Sequence, residues 1–186
     1  MSVNGKNLVL TLLVSLFTLG LLLGTYFFYK HFFVNQPLSV TLDNSELVNK
    51  YQIIQDRKKP VLKIEFNKVN DLAYEFQQFL YESGQILTEK ELDLEITSKP
   101  NHKILNFYQE VHPSLYEALE LGNYSELQEK IKEINETNPL TKADLSITKD
   151  YVYLQLEDKE YYLYTIFNRH ENSFPKITNI MGSDFE

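Results

Sequence analysis

Cysteine is absent from the 186-residue chain. A domain of this kind outside the cytoplasm has no disulfide to lean on and must rely on its hydrophobic core, which excludes the disulfide-stapled ectodomains of animal cell surfaces. Glycine is scarce, six in all, and two of these, Gly20 and Gly24, fall inside a long apolar run. The remainder are too scattered to build a glycine-rich phosphate cradle. Histidine is scarcer still: His31, His102, His112 and His170 stand far apart. Glu110-Val111-His112 is the nearest approach to a ligand pair, and a zinc centre needs three or four converging ligands. No metal or other cofactor is expected. Neither Gly-x-Ser-x-Gly nor a Ser-x-x-Lys beside a plausible partner is found, so the chain reads as non-catalytic. Positive charge is in deficit, 18 Lys and Arg against 26 Asp and Glu, a formal net charge of -8. The one basic cluster, Arg57-Lys58-Lys59, precedes Pro60 and reads as a turn. A nucleic-acid partner would want a basic stripe, and none is expected.

What the chain does have is one uninterrupted apolar run. Between Lys6 and Lys30, from Asn7 to Tyr29, there is no charged residue. A helix of that length spans roughly 35 Å, enough for a hydrocarbon core of about 30 Å. Tyr26, Phe27, Phe28, Tyr29, Phe32 and Phe33 crowd its C-terminal end, as an aromatic belt at the membrane interface would. A cleaved signal peptide is the rival reading. Its apolar region is usually shorter and ends in an Ala-x-Ala-like site, which Leu21-Leu22-Leu23-Gly24-Thr25-Tyr26 does not supply. The expectation is therefore a retained single-pass signal-anchor. Residues 1–6 form a short tail, 7–33 the anchor, 34–46 a polar tether and 47–186 a water-soluble domain. A short positive tail before the span favours a C-terminal domain on the extracytoplasmic side. Gly20 and Gly24 form a GxxxG pair, the spacing that lets two membrane helices approach closely, so a homodimer through this face is one expectation.

In the soluble part, Leu62, Ile64 and Phe66 alternate with Lys63 and Glu65, the period of a half-buried strand. With Tyr51–Asp56 this run predicts a hairpin, in competition with a helix from Asp43 to Gln55. Val69, Leu72, Ala73, Phe76, Phe79 and Leu80 share one helical face, predicting a helix over 70–82 that Gly84 terminates. Glu91 to Thr97 alternates as a strand. Three helical pieces follow: Ile104 to Val111, ending at Pro113; Leu115 to Leu119, ending at Gly122; and Leu127 to Ile134, capped by Ser125. One helix pair without a second copy cannot form a helical solenoid. The C-terminal part reads as strands: Leu145–Thr148, Tyr151–Leu156, Tyr161–Phe167 and Ile177–Ile180. The expected class is α+β, a compact domain with a mostly antiparallel sheet covered by helices on one face.

Two patterns bear on function. Glu89, Glu91, Asp93 and Glu95 would project to one side of a strand, with Lys63 and Lys68 as neutralising neighbours. Carboxylates spread along a strand cannot converge on calcium, so a solvated face is expected. The second pattern is the tyrosine-rich last hairpin. A turn centred on Asp158-Lys159 sets Leu154 opposite Leu163 on one face and Tyr153 with Tyr164 on the other. Cross-strand tyrosines stabilise sheets, and exposed ones make docking surfaces. Tyr151, Tyr153, Tyr162 and Tyr164 are thus the residues expected at a partner-docking face. The function expected is a membrane-anchored, non-catalytic partner-binding subunit of a bacterial envelope complex, its partner another membrane or envelope protein. The alternative is an extracytoplasmic domain that binds or senses a small molecule.

Overall fold

The computed structural model describes residues 5–29, 36–55, 59–170 and 173–182. Lys30, Phe32, Phe33, the start of the tether and the Arg57-Lys58 turn lie outside the described residues. The chain divides into two compact units, Met1–Asp43 and Asn44–Glu186.

The first unit contains two helices. Helix α1 spans Gly5–Tyr29. Its stretch from Val9 to Phe28 has a mean hydropathy of 2.0, and none of its side chains is buried. By length and composition this helix can cross a membrane. Its interior polar groups are satisfied locally: the Thr18 and Thr25 hydroxyls donate to the carbonyls of Val14 and Leu21, at 2.7 and 2.8 Å. Helix α2 spans Gln36–Asn44, so the expected tether is in large part helical. Pro37 suits a first helical turn, where its missing N–H costs nothing. Leu38 and Leu42, one turn apart, are both buried.

The second unit carries two sheets rather than the one expected. In chain order come β1 (Val48–Ile54), β2 (Val61–Phe66), α3 (Leu72–Glu89), β3 (Asp93–Ser98), α4 (His102–Leu121), α5 (Tyr124–Thr137), β4 (Lys142–Ile147), β5 (Tyr151–Asp158), β6 (Tyr161–Asn168) and β7 (Ile177–Met181). The four-stranded sheet has the order β1-β2-β3-β7, the three-stranded one β4-β5-β6. The first sheet is mixed. Strands β1 and β2 form the expected antiparallel hairpin, whereas β2 with β3 and β3 with β7 are parallel. Helix α3 is the cause for β2 and β3, because a helical crossover returns the chain in the same direction; β7 joins β3 only after α4, α5 and the whole second sheet.

Nor do the helices share one face. Helices α4 and α5 pack on one side of the three-stranded sheet, where Ile104, Phe107, Val111, Leu127 and Ile131 meet Leu154, Leu156 and Leu163. Helix α3 lies against the opposite side. Its fully buried Phe76 places its ring 6.2 Å from Phe66 of β2, 5.6 Å from Tyr151 and 6.0 Å from Tyr153 of β5. Burying a phenylalanine this way stabilises by about 2–3 kcal/mol. The two sheets are stitched by amides acting as backbone: Asn179 accepts from the Ile166 N–H and donates to its carbonyl, each at 2.9 Å.

Two helix ends differ from expectation. Helix α3 runs through Gly84 to Glu89, because Ser83 and Leu87 extend its buried stripe. Helix α4 is one helix through Pro113, since Val111, Leu115 and Ala118 continue a single buried face across it. The lost N–H costs less than abandoning that stripe. Gly122 does end α4, at φ 75, where a left-handed residue is needed and glycine adopts it without strain. Helix α5 begins at Tyr124, so Ser125 lies within it rather than capping it.

The acidic row is also redistributed. Glu89 ends α3 and Glu91 occupies a turn at φ 50, leaving only Asp93 and Glu95 on β3. Glu95 is buried, as are Lys63 and Glu65 on β2. Strand β3 is interior to its sheet, and Lys63 stands beside Glu95 in the β2–β3 register. A solvated face is not what this strand presents.

Candidate functional site

The four tyrosines expected at a docking face are core residues: Tyr151 and Tyr162 are 5% exposed, Tyr153 and Tyr164 1%. The period-2 pattern correctly separates them from Leu154 and Leu163, but their face is covered by α3 and by the other sheet. The hairpin register also differs. The turn is Lys159-Glu160, with Lys159 at φ 55, and it pairs Leu156 with Leu163 and Gln155 with Tyr164.

The hydroxyls of Tyr164 and Tyr162 belong to a buried polar layer, while that of Tyr153 has no hydrogen-bond partner among the described residues. Tyr164 donates to Glu157 at 2.8 Å and accepts from the Val69 N–H at 3.0 Å. Gln155 donates to Glu157 and to the Val69 carbonyl, at 2.6 and 2.8 Å, and accepts from the Leu72 N–H at 3.0 Å. Lys68 closes on Glu157 at 2.9 Å. Burial pushes the Glu157 carboxyl up, but the hydrogen bonds of Gln155, Lys68 and Tyr164 with the Lys68 charge outweigh it and hold it below 4.5. Beside this group, Tyr162 donates to the Phe66 carbonyl, and Lys99 pairs with Glu65 at 2.6 Å. Burial raises Tyr162 to about 12 and lifts Tyr164 and Tyr151 further. These phenols stay protonated near neutrality; Tyr162 and Tyr164 hold the end of β2 and the loop after it, and Tyr151 donates to the Phe174 carbonyl at 2.9 Å.

Exposed chemistry lies elsewhere, in an open groove of about 580 Å³ between α4 and the β6–β7 connection. Tyr116 and Phe167 line it, and Tyr116 is the outer end of a row of rings at helical spacing along α4. Tyr108 and His112 are 5.4 Å apart, His112 and Tyr116 4.6 Å, and Tyr116 meets Phe167 of β6 at 6.2 Å. Half of Tyr116 is open to solvent. Leu119 and Ile177 add apolar surface, while Arg169, His170 and Lys176 bring nitrogen donors and Glu120 one carboxylate. Arg169 is braced: its guanidinium lies 5.4 Å over the Tyr124 ring and donates to the Thr148 carbonyl at 2.7 Å.

No protein-family model, curated protein or solved structure matches this chain. Its groove must therefore be read from its own residues. The sequence marked none of them as a docking residue: His170 figured only among four scattered histidines, and Arg169 is one of only two arginines. The fold was needed to bring Phe167 and Lys176 to the same place. Gly20 and Gly24 sit on one exposed face of α1, with nothing within 4 Å of where their side chains would begin.

Proposed function

We propose that the chain is a single-pass, membrane-anchored, non-catalytic partner-binding subunit of a bacterial envelope complex, and that its soluble unit docks the partner in the groove beside α4. The observation that carries this reading is a contrast in how side chains are used. The hydroxyls of Tyr151, Tyr162 and Tyr164 and the Glu157 carboxylate are tied up internally, whereas Tyr116, Arg169 and Lys176 are exposed around the groove and the half-buried Phe167 lines it. Exposed aromatic and arginine side chains around a concavity are the common currency of protein docking. The exposed apolar helix α1 supports anchorage, and the charge-poor flanks with a positive tail favour an extracytoplasmic soluble unit.

A photo-crosslinking residue in place of Tyr116, in cells, tests the docking. It should yield a discrete adduct with one envelope protein, while the same residue at Tyr81, 88% exposed on α3, should not. Equal labelling from both positions would refute a groove-centred partner. The anchor has its own test: protein extracted from membranes should give peptides covering Asn7 to Phe33, and a mature start near Tyr26 would show cleavage. A reporter fused after Glu186 that is active only in the cytoplasm would refute the orientation. A second reading, a small-molecule receptor, is favoured by the groove volume alone, which falls in the range of about 300–1,000 Å³ usual for ligand sites. Saturable binding of a metabolite with no protein adduct would select it.

A further inference from the structure

We infer that the outer edge of β4 is where a second copy of this chain pairs, antiparallel across a two-fold axis at Ala143, joining two three-stranded sheets into one. This stands apart from the groove reading and needs none of its residues. The two sheets have four edge strands, β1 and β7 in one and β4 and β6 in the other. Along β6 the Tyr162 N–H reaches the Lys99 carbonyl at 3.1 Å, the Tyr164 N–H reaches the Ser98 hydroxyl at 3.0 Å, and Asn179 takes both backbone groups of Ile166. Strand β7 joins that same closure, its Ile177 N–H held by Asn168 at 3.1 Å. Strand β1 is broken by a register shift between Val48 and Lys50, with Asn49 and Lys50 exposed, the kind of bulge that keeps an edge from pairing.

Strand β4 has neither device. Its register against β5 is unbroken from Lys142 to Ile147, and among the described residues no hydrogen bond reaches its outer backbone. The hairpin closes with the Thr148 N–H on the Tyr151 carbonyl at 2.9 Å. By alternation Lys142, Asp144 and Ser146 therefore bond to β5, while Ala143, Leu145 and Ile147 turn their N–H and C=O groups outward. The charges choose the occupant. Lys142 and Asp144 are the only charged residues of β4, opposite in sign, two apart and so on one face. An antiparallel copy centred on Ala143 sets each Lys142 opposite the other's Asp144, at the closer, non-hydrogen-bonded positions. Centring on Asp144 would oppose two carboxylates, and centring on Leu145 would face both charges with neutral residues. A neutral foreign strand would leave both charges unmatched as well. Asp144 is exposed, and Lys142, which gives one donor to the Asn70 carbonyl, keeps others for a carboxylate.

The test uses the full chain in membranes. It has no cysteine, so a single introduced cysteine reports alone. Ala143→Cys should give disulfide-linked dimers on mild oxidation, because directly opposed residues of a hydrogen-bonded pair have Cα atoms about 5.5 Å apart, within disulfide reach. Leu145→Cys, about 14 Å from its counterpart in this register, should not, nor should Tyr81→Cys on the exposed face of α3. Adding Asp144→Lys or Lys142→Glu to Ala143→Cys sets like charges opposite and should lower the yield about tenfold. Mixing those two variants, told apart by size tags, recreates both ion pairs and should restore the cross-link between them, which also shows that both fold. No dimer above the Tyr81→Cys level, or no recovery in the mixture, would overturn the inference. So would a stronger cross-link from Leu145→Cys, which moves the axis, or an adduct of Ala143→Cys with a different protein, which puts a foreign strand on the edge. Dimers indifferent to the charge changes but lost on Gly20→Ile would assign association to α1 and overturn it too.

Discussion

Tyr164→Phe removes one oxygen from the centre of the buried polar layer. That oxygen donates to Glu157 at 2.8 Å and accepts from the Val69 N–H at 3.0 Å. The first bond involves a charged acceptor and is worth about 1.5–3 kcal/mol. Glu157 keeps Gln155 and Lys68, which places the loss toward the lower end. The Val69 N–H is only partly buried, so leaving it without this partner adds a fraction of the full penalty of about 1–3 kcal/mol. The ring itself stays, and the missing oxygen leaves too small a void to matter. The sum is a loss of about 2–3 kcal/mol, or a fall in Tm of roughly 6–12 °C for a unit of this size. With 13 tyrosines and no tryptophan, near-ultraviolet circular dichroism reports the core directly during urea unfolding of the full chain in detergent. The same change made on Glu157→Gln should cost less by about 1 kcal/mol or more, because the two groups share a bond. A loss below about 0.5 kcal/mol, or strict additivity with Glu157→Gln, would refute the layer as a source of stability.

Glu157, held below its ordinary 4.5, contributes stability that is present above that value and is lost as pH falls through its lower folded value. Acid titrations of melting should show this, with Glu157→Gln lacking the contribution at neutral pH and flattening the acid limb; parallel limbs would contradict it. Pro113→Ala restores an N–H at an exposed position inside α4 and should raise stability by about 1–2 kcal/mol in denaturant titrations, the helix gain being reduced by a looser unfolded chain. Gly122→Ala forces a side chain into φ 75, where nothing crowds it sterically, and should cost about 1 kcal/mol through backbone strain alone. Unchanged unfolding midpoints would refute either assignment.

How much of this was legible beforehand varies with the range of the forces involved. Patterns carried by neighbouring residues were readable: the charge-free run of α1, the alternation of Leu62, Ile64 and Phe66, the glycine stop at Gly122 and the helical face from Leu72 to Phe79. Punctuation by single residues was less reliable. Gly84 and Pro113 carry local costs of order 1–3 kcal/mol, which a continuing buried stripe on either side outweighs.

The tyrosine hairpin shows the division most clearly. By itself the sequence determined that Tyr153 and Tyr164 share a face opposite Leu154 and Leu163, because side chains alternate along any strand. Whether that face met water was decided only when α3 and a second sheet closed over it, and alternation does not record what lies across a sheet. Only that closure set Lys68, far along the chain, against Glu157, whereas Tyr164 reaches Glu157 within the hairpin itself. The groove obeys the same rule in reverse. Arg169 and Lys176 look like ordinary surface cations in sequence, and their gathering beside Tyr116 and Phe167 is a property of the folded surface. Short-range periodicity is set by covalent geometry, whereas exposure and pairing depend on which distant segments pack together.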